Sequence, residues 1–173
     1  MTKAIFLYGS SCAGKSTLVK SMLEKSSNMF HLNIDKIKWL ISDYNNQNNS
    51  YLNTLDEMLV SLAKTAIKNE MNIIYEGKSP YIFNKLESFL KELDIKVYQI
   101  NLEAPLEILK ERFLQRLKDV EINGGKVSNK SLDRFIEIYN EYIDTKKEDI
   151  LTLDSSILSK EEMILELEKL VNS

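Results

Sequence analysis

The sequence predicts an α/β fold, a three-layer α/β/α sandwich built on a five-stranded parallel sheet. Two observations predict it. Short apolar runs alternate with segments of helical period along all 173 residues, and the joins between runs hold helices rather than tight hairpin turns. Strands connected through helices run parallel, and a parallel sheet is covered on both faces.

Each element has its own signal. Lys3–Tyr8 (KAIFLY) is a continuous apolar run, as expected of a strand buried on both sides, and a helix follows from about Gly14 to Lys25. Phe30–Ile34 reads as the second strand, with Asp35 placed to cap a helix holding Ile37, Leu40 and Ile41. Asn45–Ser50 is a polar loop. Tyr51–Glu70 carries Leu55, Met58, Leu59, Leu62 and Ala66 at helical spacing, and Asn72–Glu76 is the third strand. Ser79-Pro80 opens a helix, with proline in the first turn, where a missing N–H does no harm. Ile95–Leu102 is the fourth strand, and Pro105 starts a helix that runs to about Leu117. Asn123-Gly124-Gly125 breaks the pattern, so Lys118–Val127 reads as a loop and Ser128–Lys147 as the next helix. Ile150–Leu153 is the fifth strand, and Ser159-Lys-Glu-Glu162 is a capping box for the last helix.

Composition narrows the classes of function. The length fits one domain spanning 1–173, and 43% hydrophobic with 28% charged residues is globular. No apolar run is long enough for a membrane span, and the single cysteine, Cys12, permits no internal disulfide, so a cytoplasmic setting is expected. Net charge is −3, from 23 basic and 26 acidic residues, which argues against extended nucleic-acid binding.

In open parallel sheets, ligands sit beyond the carboxyl ends of the strands. There the chain reads Gly9-Ser10-Ser11-Cys12-Ala13-Gly14-Lys15-Ser16-Thr17, a match to G-x-x-x-x-G-K-[ST] set between a strand and a helix. Glycines allow the backbone to close around an anion, successive N–H groups point inward, and the helix adds its positive end. Lys15 can reach the β- and γ-phosphates of ATP, and the Ser16 hydroxyl can ligate Mg²⁺, which takes hard oxygen donors. Asp35, Glu76 and Glu103 follow other strand runs on the same edge. Glu76 is expected at Mg²⁺, at its waters or at a substrate hydroxyl, and Lys38 and Lys78 are candidates for a substrate phosphate or carboxylate. His31, Trp39, Tyr139 and Tyr142 read as structural residues, core or pocket walls.

With this loop, the chain resembles the small P-loop kinases of the polynucleotide kinase, chloramphenicol phosphotransferase and zeta-toxin type. The other points of likeness are Asn33-Ile34-Asp35-Lys36, the stretch from Glu103-Ala-Pro105 to Arg112 and Arg116, and Leu153-Asp154-Ser155-Ser156. The resemblance implies strand order 2-3-1-4-5 and a helical lid around 112–128. It implies that Asp35 is a general base for an acceptor hydroxyl and that Arg116 clamps the phosphates. Arg112 would contact the nucleotide or brace the lid. Polynucleotide kinases carry arginine where this chain has Lys38, so bidentate recognition of a substrate phosphate is not implied.

The expected activity is therefore transfer of the γ-phosphate of ATP to a hydroxyl of a small molecule or of a nucleotide or nucleic-acid end. A nucleoside monophosphate kinase is the alternative, and a non-catalytic ATP-binding regulator is a third reading from another class. No Asn-Lys-x-Asp element for guanine is present, the nearest string, Asn129-Lys-Ser-Leu-Asp133, having one residue too many.

Overall fold

The computed structural model describes residues 2–42, 49–77, 84–125, 127 and 129–172. β1 (Ala4–Tyr8) is buried along its whole length, because each of its faces packs against a different helical layer. It pairs in parallel with β3 (Asn72–Gly77) on one side and β4 (Val97–Glu103) on the other. β2 (Met29–Asn33) adds beyond β3 and β5 (Leu151–Asp154) beyond β4, both parallel. The order is β2-β3-β1-β4-β5, as the resemblance implied.

Side-chain alternation splits the core into two layers. Ile5 and Leu7 of β1, with Ile74, Ile100 and Leu102, pack under α1 (Lys15–Lys25), α5 (Leu106–Asn123), α6 (Leu132–Thr145) and α7 (Lys160–Asn172). Ala4, Phe6 and Tyr8, with Ile73 and Tyr75, pack under α3 (Asn49–Lys68) and α4 (Asn84–Glu92). Each fully buried leucine or isoleucine here contributes roughly 1.5–3 kcal/mol of burial free energy. No described helix is long and apolar enough to cross a membrane.

Several boundaries differ from the sequence reading. α2 (Ile34–Lys38) is capped not by Asp35 but by Asn33, whose side chain accepts from the Lys36 amide at 2.9 Å. Asn33 has the extended backbone a cap needs, which leaves Asp35 in the first turn, where its charge suits the helix dipole. α5 does not stop at Leu117. No glycine or proline intervenes before Gly124, Gln115 donates to Asp119 at 2.8 Å across one turn, and Gly124 at φ 74° ends the helix, so 118–123 is helix rather than loop.

α6 starts later than expected, at Leu132. Asn129 folds back on Ser131, accepting from its amide at 2.9 Å, and the Ser131 hydroxyl caps the Arg134 amide. Trp39 is exposed instead of core, with Lys38 Nζ 5.4 Å from its ring centre, while Tyr142 is buried as expected. The expected helix start at Ser79-Pro80 and most of the Asn45–Ser50 loop lie outside the described residues.

The predicted capping box forms in full. Ser159 N and Oγ both donate to Glu162 Oε2 at 2.8 Å, and the Glu162 amide donates to Ser159 Oγ at 3.2 Å. α7 lies against α1, so this box secures a helix that backs the glycine loop. Replacement Ser159→Ala is expected to lower the melting temperature by about 2–4 °C, read by circular dichroism. An unshifted transition would show that the box adds nothing.

Candidate functional site at the sheet edge

Parallel pairing brings the ends of all five strands to one edge, and the glycine loop crosses it directly after β1. Gly9 has φ +150°, and a Cβ there would meet the Leu102 carbonyl oxygen at 2.2 Å. Only glycine lets the loop leave β1 so close to β4. Gly14, at φ +96°, turns the chain into α1, and Cys12 between them takes the left-handed conformation at φ 65°. The first turn of α1 carries no acidic side chain, so its amides and positive end remain available to an anion.

Within this turn, Lys15 Nζ donates to the carbonyls of Gly9 and Ser10, both at 2.8 Å. The ammonium is thereby folded over the mouth of the loop. Ser10 and Ala13 are buried and fix the inner wall. Ser11 and Cys12 are partly buried, and Ser16 and Thr17 are exposed at the start of the helix.

The Ser16 hydroxyl donates to Glu76 Oε2 at 2.8 Å. The other carboxylate oxygen accepts from the Asn33 side-chain amide, and His31 Nε2 lies 3.2 Å from it. Burial pushes the Glu76 carboxyl up, yet the adjacent His31 imidazole, the Ser16 hydrogen bond and the nearby Lys15 ammonium hold it below its ordinary range. A buried anion is thus kept by donors from β2 and from the loop. His31 lies within β2. The sequence gives Asn33 no role of its own; it is the β2–β3 register, which sets Asn33 opposite Glu76, that brings it into the site.

Asp35 follows Asn33 by two residues, is exposed, and forms an ion pair with Lys38 one turn on. These two candidates therefore come together. Lys78 lies outside the described residues. The paired arginines part company. Arg112 Nη1 donates to Ser155 Oγ at 2.9 Å and to the Cys12 carbonyl at 3.4 Å, and Nη2 donates to the Ser155 carbonyl at 2.8 Å. It ties α5 to the glycine loop and to the segment after β5. Arg116 is exposed, and with Glu111, Gln115 and Asp119 it lines an open depression along α5. Glu103 accepts from the Tyr142 hydroxyl at 2.8 Å and faces Lys146 at 3.3 Å, so it anchors α6 to β4.

Ser16 Oγ and Glu76 Oε2 are adjacent oxygen donors of the kind Mg²⁺ prefers. Among the described residues, no group of three or more histidine, cysteine or acidic side chains could hold a metal by itself. The donor set fits an ion completed by phosphate oxygens and water, not a permanent all-protein site.

Because the folded chain holds the Glu76 proton less tightly than the unfolded chain, ionised Glu76 stabilises the fold above its ordinary value of 4.5. That contribution is lost as pH falls from there through the lowered folded value. Denaturant titrations of Glu76→Gln are expected to show a loss on the order of 1–3 kcal/mol near neutral pH. Below pH 4.5 the variant should depend less on pH than the parent protein. Parallel pH curves for the two proteins would contradict this account.

The comparisons with known proteins agree with this geometry. None of the curated proteins matches the chain in sequence. Among solved structures, the protein APE1195 superposes with a TM-score of 0.72 at 21% identity, covering 99% of this chain and 95% of that one. The Mycobacterium tuberculosis APS kinase, solved with AMPPNP and APS, gives 0.67 at 17%, covering 99% and 98%. The Deinococcus radiodurans tunicamycin resistance protein gives 0.63 at 16%, covering 99% and 96%. These likenesses establish a P-loop kinase-like fold. Residues 2–165 match the family described as Zeta toxin, from before β1 into α7, and the chain belongs to that family.

Proposed function

We propose that the chain is a phosphotransferase that binds ATP with Mg²⁺ in the 9–17 loop and moves the γ-phosphate to an acceptor hydroxyl held at Asp35. One observation carries this reading. A continuous run of hydrogen bonds joins Ser16 to Glu76 and Glu76 to Asn33, the cap of the short helix that bears Asp35. The loop suited to phosphate and the carboxylate suited to a proton are thus held in one frame.

In this reading, amides of the loop and the α1 terminus hold the phosphates, and Lys15 leaves the Gly9 and Ser10 carbonyls for the β- and γ-phosphate oxygens. Ser16 and Glu76 would hold Mg²⁺, which would supply charge neutralisation on those phosphates. Asp35 orients the acceptor and takes its proton as the acceptor oxygen bonds to the γ-phosphorus. The bond from that phosphorus to the bridging oxygen breaks, and ADP leaves. Phosphoryl transfer asks mainly for positioning and charge stabilisation. Arg112 keeps the loop in place, and Arg116, one turn further along α5, is the guanidinium available to the transferring group when the α5 region closes as a lid.

The test is Asp35→Asn with γ-labelled ATP and a panel of hydroxyl acceptors. ATP affinity by calorimetry is expected to stay unchanged while transfer falls about 10²–10⁴-fold. Unaltered transfer would remove Asp35 as the base and favour an acceptor that is already anionic, as in a nucleoside monophosphate kinase.

A further inference from the structure

Asn33 uses both ends of its side-chain amide. Nδ2 donates to Glu76 Oε1, and Oδ1 accepts from the Lys36 amide as the cap of α2. Its orientation is fixed, since a flip would set a carbonyl against the carboxylate and an NH₂ against an N–H. On one side of Asn33, Glu76 receives the hydroxyl of Ser16 from the first turn of α1. On the other side, α2 has five residues and none of them is buried. So short a helix does not hold itself together and depends on its cap and its surroundings. It carries the Asp35–Lys38 ion pair, and Lys38 Nζ lies 5.4 Å from the ring centre of Trp39, which is half-exposed at the end of the helix.

Glu76 cannot serve both sides fully at once. Its Oε2 faces Ser16, where a cation held with nucleotide phosphates would draw on the carboxylate charge, while its Oε1 serves Asn33 and His31. A hydrogen bond to a carboxylate takes its strength from that charge and weakens when a divalent ion shares it. Filling the nucleotide side therefore loosens the Nδ2 contact and leaves Asn33 to follow α2. Asp35 follows with it, being two residues further along the same chain. The coupling is reciprocal, so the Asn33 contact also opposes full use of Glu76 on the nucleotide side.

We propose that Asn33 is a positioning residue that carries the state of the nucleotide site to α2, so that Asp35 and Trp39 shift when Mg²⁺ and nucleotide occupy the 9–17 loop. This rests on the nucleotide side of the reading above and adds an order to it: the loop fills first, and the acceptor side is set in consequence. Asn33 touches neither substrate and takes no part in the transfer itself.

Trp39 is the only tryptophan of the chain, so its emission reports on α2 without a label. The full chain is titrated to saturation with Mg²⁺ and AMPPNP, and separately with AMPPNP in EDTA, while calorimetry on the same samples gives the affinity. The parent protein is expected to shift its emission along the binding curve with Mg²⁺ and to respond much less without the metal. Asn33→Ser keeps a capping hydroxyl but is too short to reach Glu76 as well, and Asn33→Asp caps but sets a second carboxylate against it. Both variants are expected to lose the emission shift. Their affinity for Mg²⁺ with AMPPNP should equal that of the parent or exceed it by up to about tenfold, because Glu76 no longer divides its charge. A merely structural role for Asn33 would weaken binding instead. A shift retained in the variants, or weakened binding in them, overturns the proposal. So does an equal response with and without metal, or a silent Trp39 in parent protein that binds the nucleotide in calorimetry, and either result leaves the nucleotide site standing. Failure of the parent protein to bind AMPPNP at all removes the reading of the loop itself, and this proposal with it.

Discussion

The Glu76 carboxylate is the constraint on which the rest of the site depends. It is an acid at the end of a central strand, taken almost completely out of water, in a place where desolvation opposes its charge. It stays ionised because three side chains from two other elements converge on it: Ser16 from the first turn of α1, and His31 and Asn33 from β2. The same contacts fix the geometry in the other direction. Ser16 is held against the β3 end, and the end of β2 is pinned to β3 where α2 begins. A buried charge that can be satisfied only by groups from several elements acts as a register mark among them.

Around that anchor, the two faces of the sheet take different work. The α1 face holds the glycine loop, whose close passage over Leu102 is possible only without a Cβ at Gly9. Arg112 reaches across from α5 to the Cys12 carbonyl and to Ser155, so the loop is braced on the β5 side as well as on the β3 side. The opposite face, under α3 and α4, buries Tyr8 and Tyr75, with Asp56 of α3 near the Tyr75 hydroxyl. Polar groups of opposite character are thereby separated by one layer of backbone. Amides and an ammonium lie on one side, phenols and a buried carboxylate on the other.

The arginine pair shows how spacing and environment contribute separately. Arg112 and Arg116 are four residues apart and share a helical face, which is a local property. One turn of helix is 5.4 Å, enough to carry the second guanidinium past the loop that the first one touches. Arg112 therefore meets Ser155 and Cys12, while Arg116 stays in solvent on the open side of α5. Equal chemistry at equal spacing ends in a brace and an unbound cation.

Sequence alone determined the parallel sandwich and the glycine loop, because both are written in local periodicity and in residues whose backbone demands are unmistakable. Short apolar runs between helical segments exclude hairpins, and Gly9, Gly14, Lys15 and Ser16 stand in one continuous string between strand and helix. The capping box at Ser159 and Glu162 was legible for the same reason. Tertiary structure decided what depends on residues distant in the chain. Asn33 and Asp35 are both good helix caps, and only the backbone at the end of β2 chose Asn33. Nothing near Glu76 in sequence announces Ser16, sixty residues earlier, or His31 as its partners, and Asp56 reads locally as an ordinary acid on an amphipathic helix. Strand order likewise follows from how crossovers pack, not from periodicity. Burial and pairing are properties of the assembled layers, and they assign each of these polar groups its neighbour only once the layers have met.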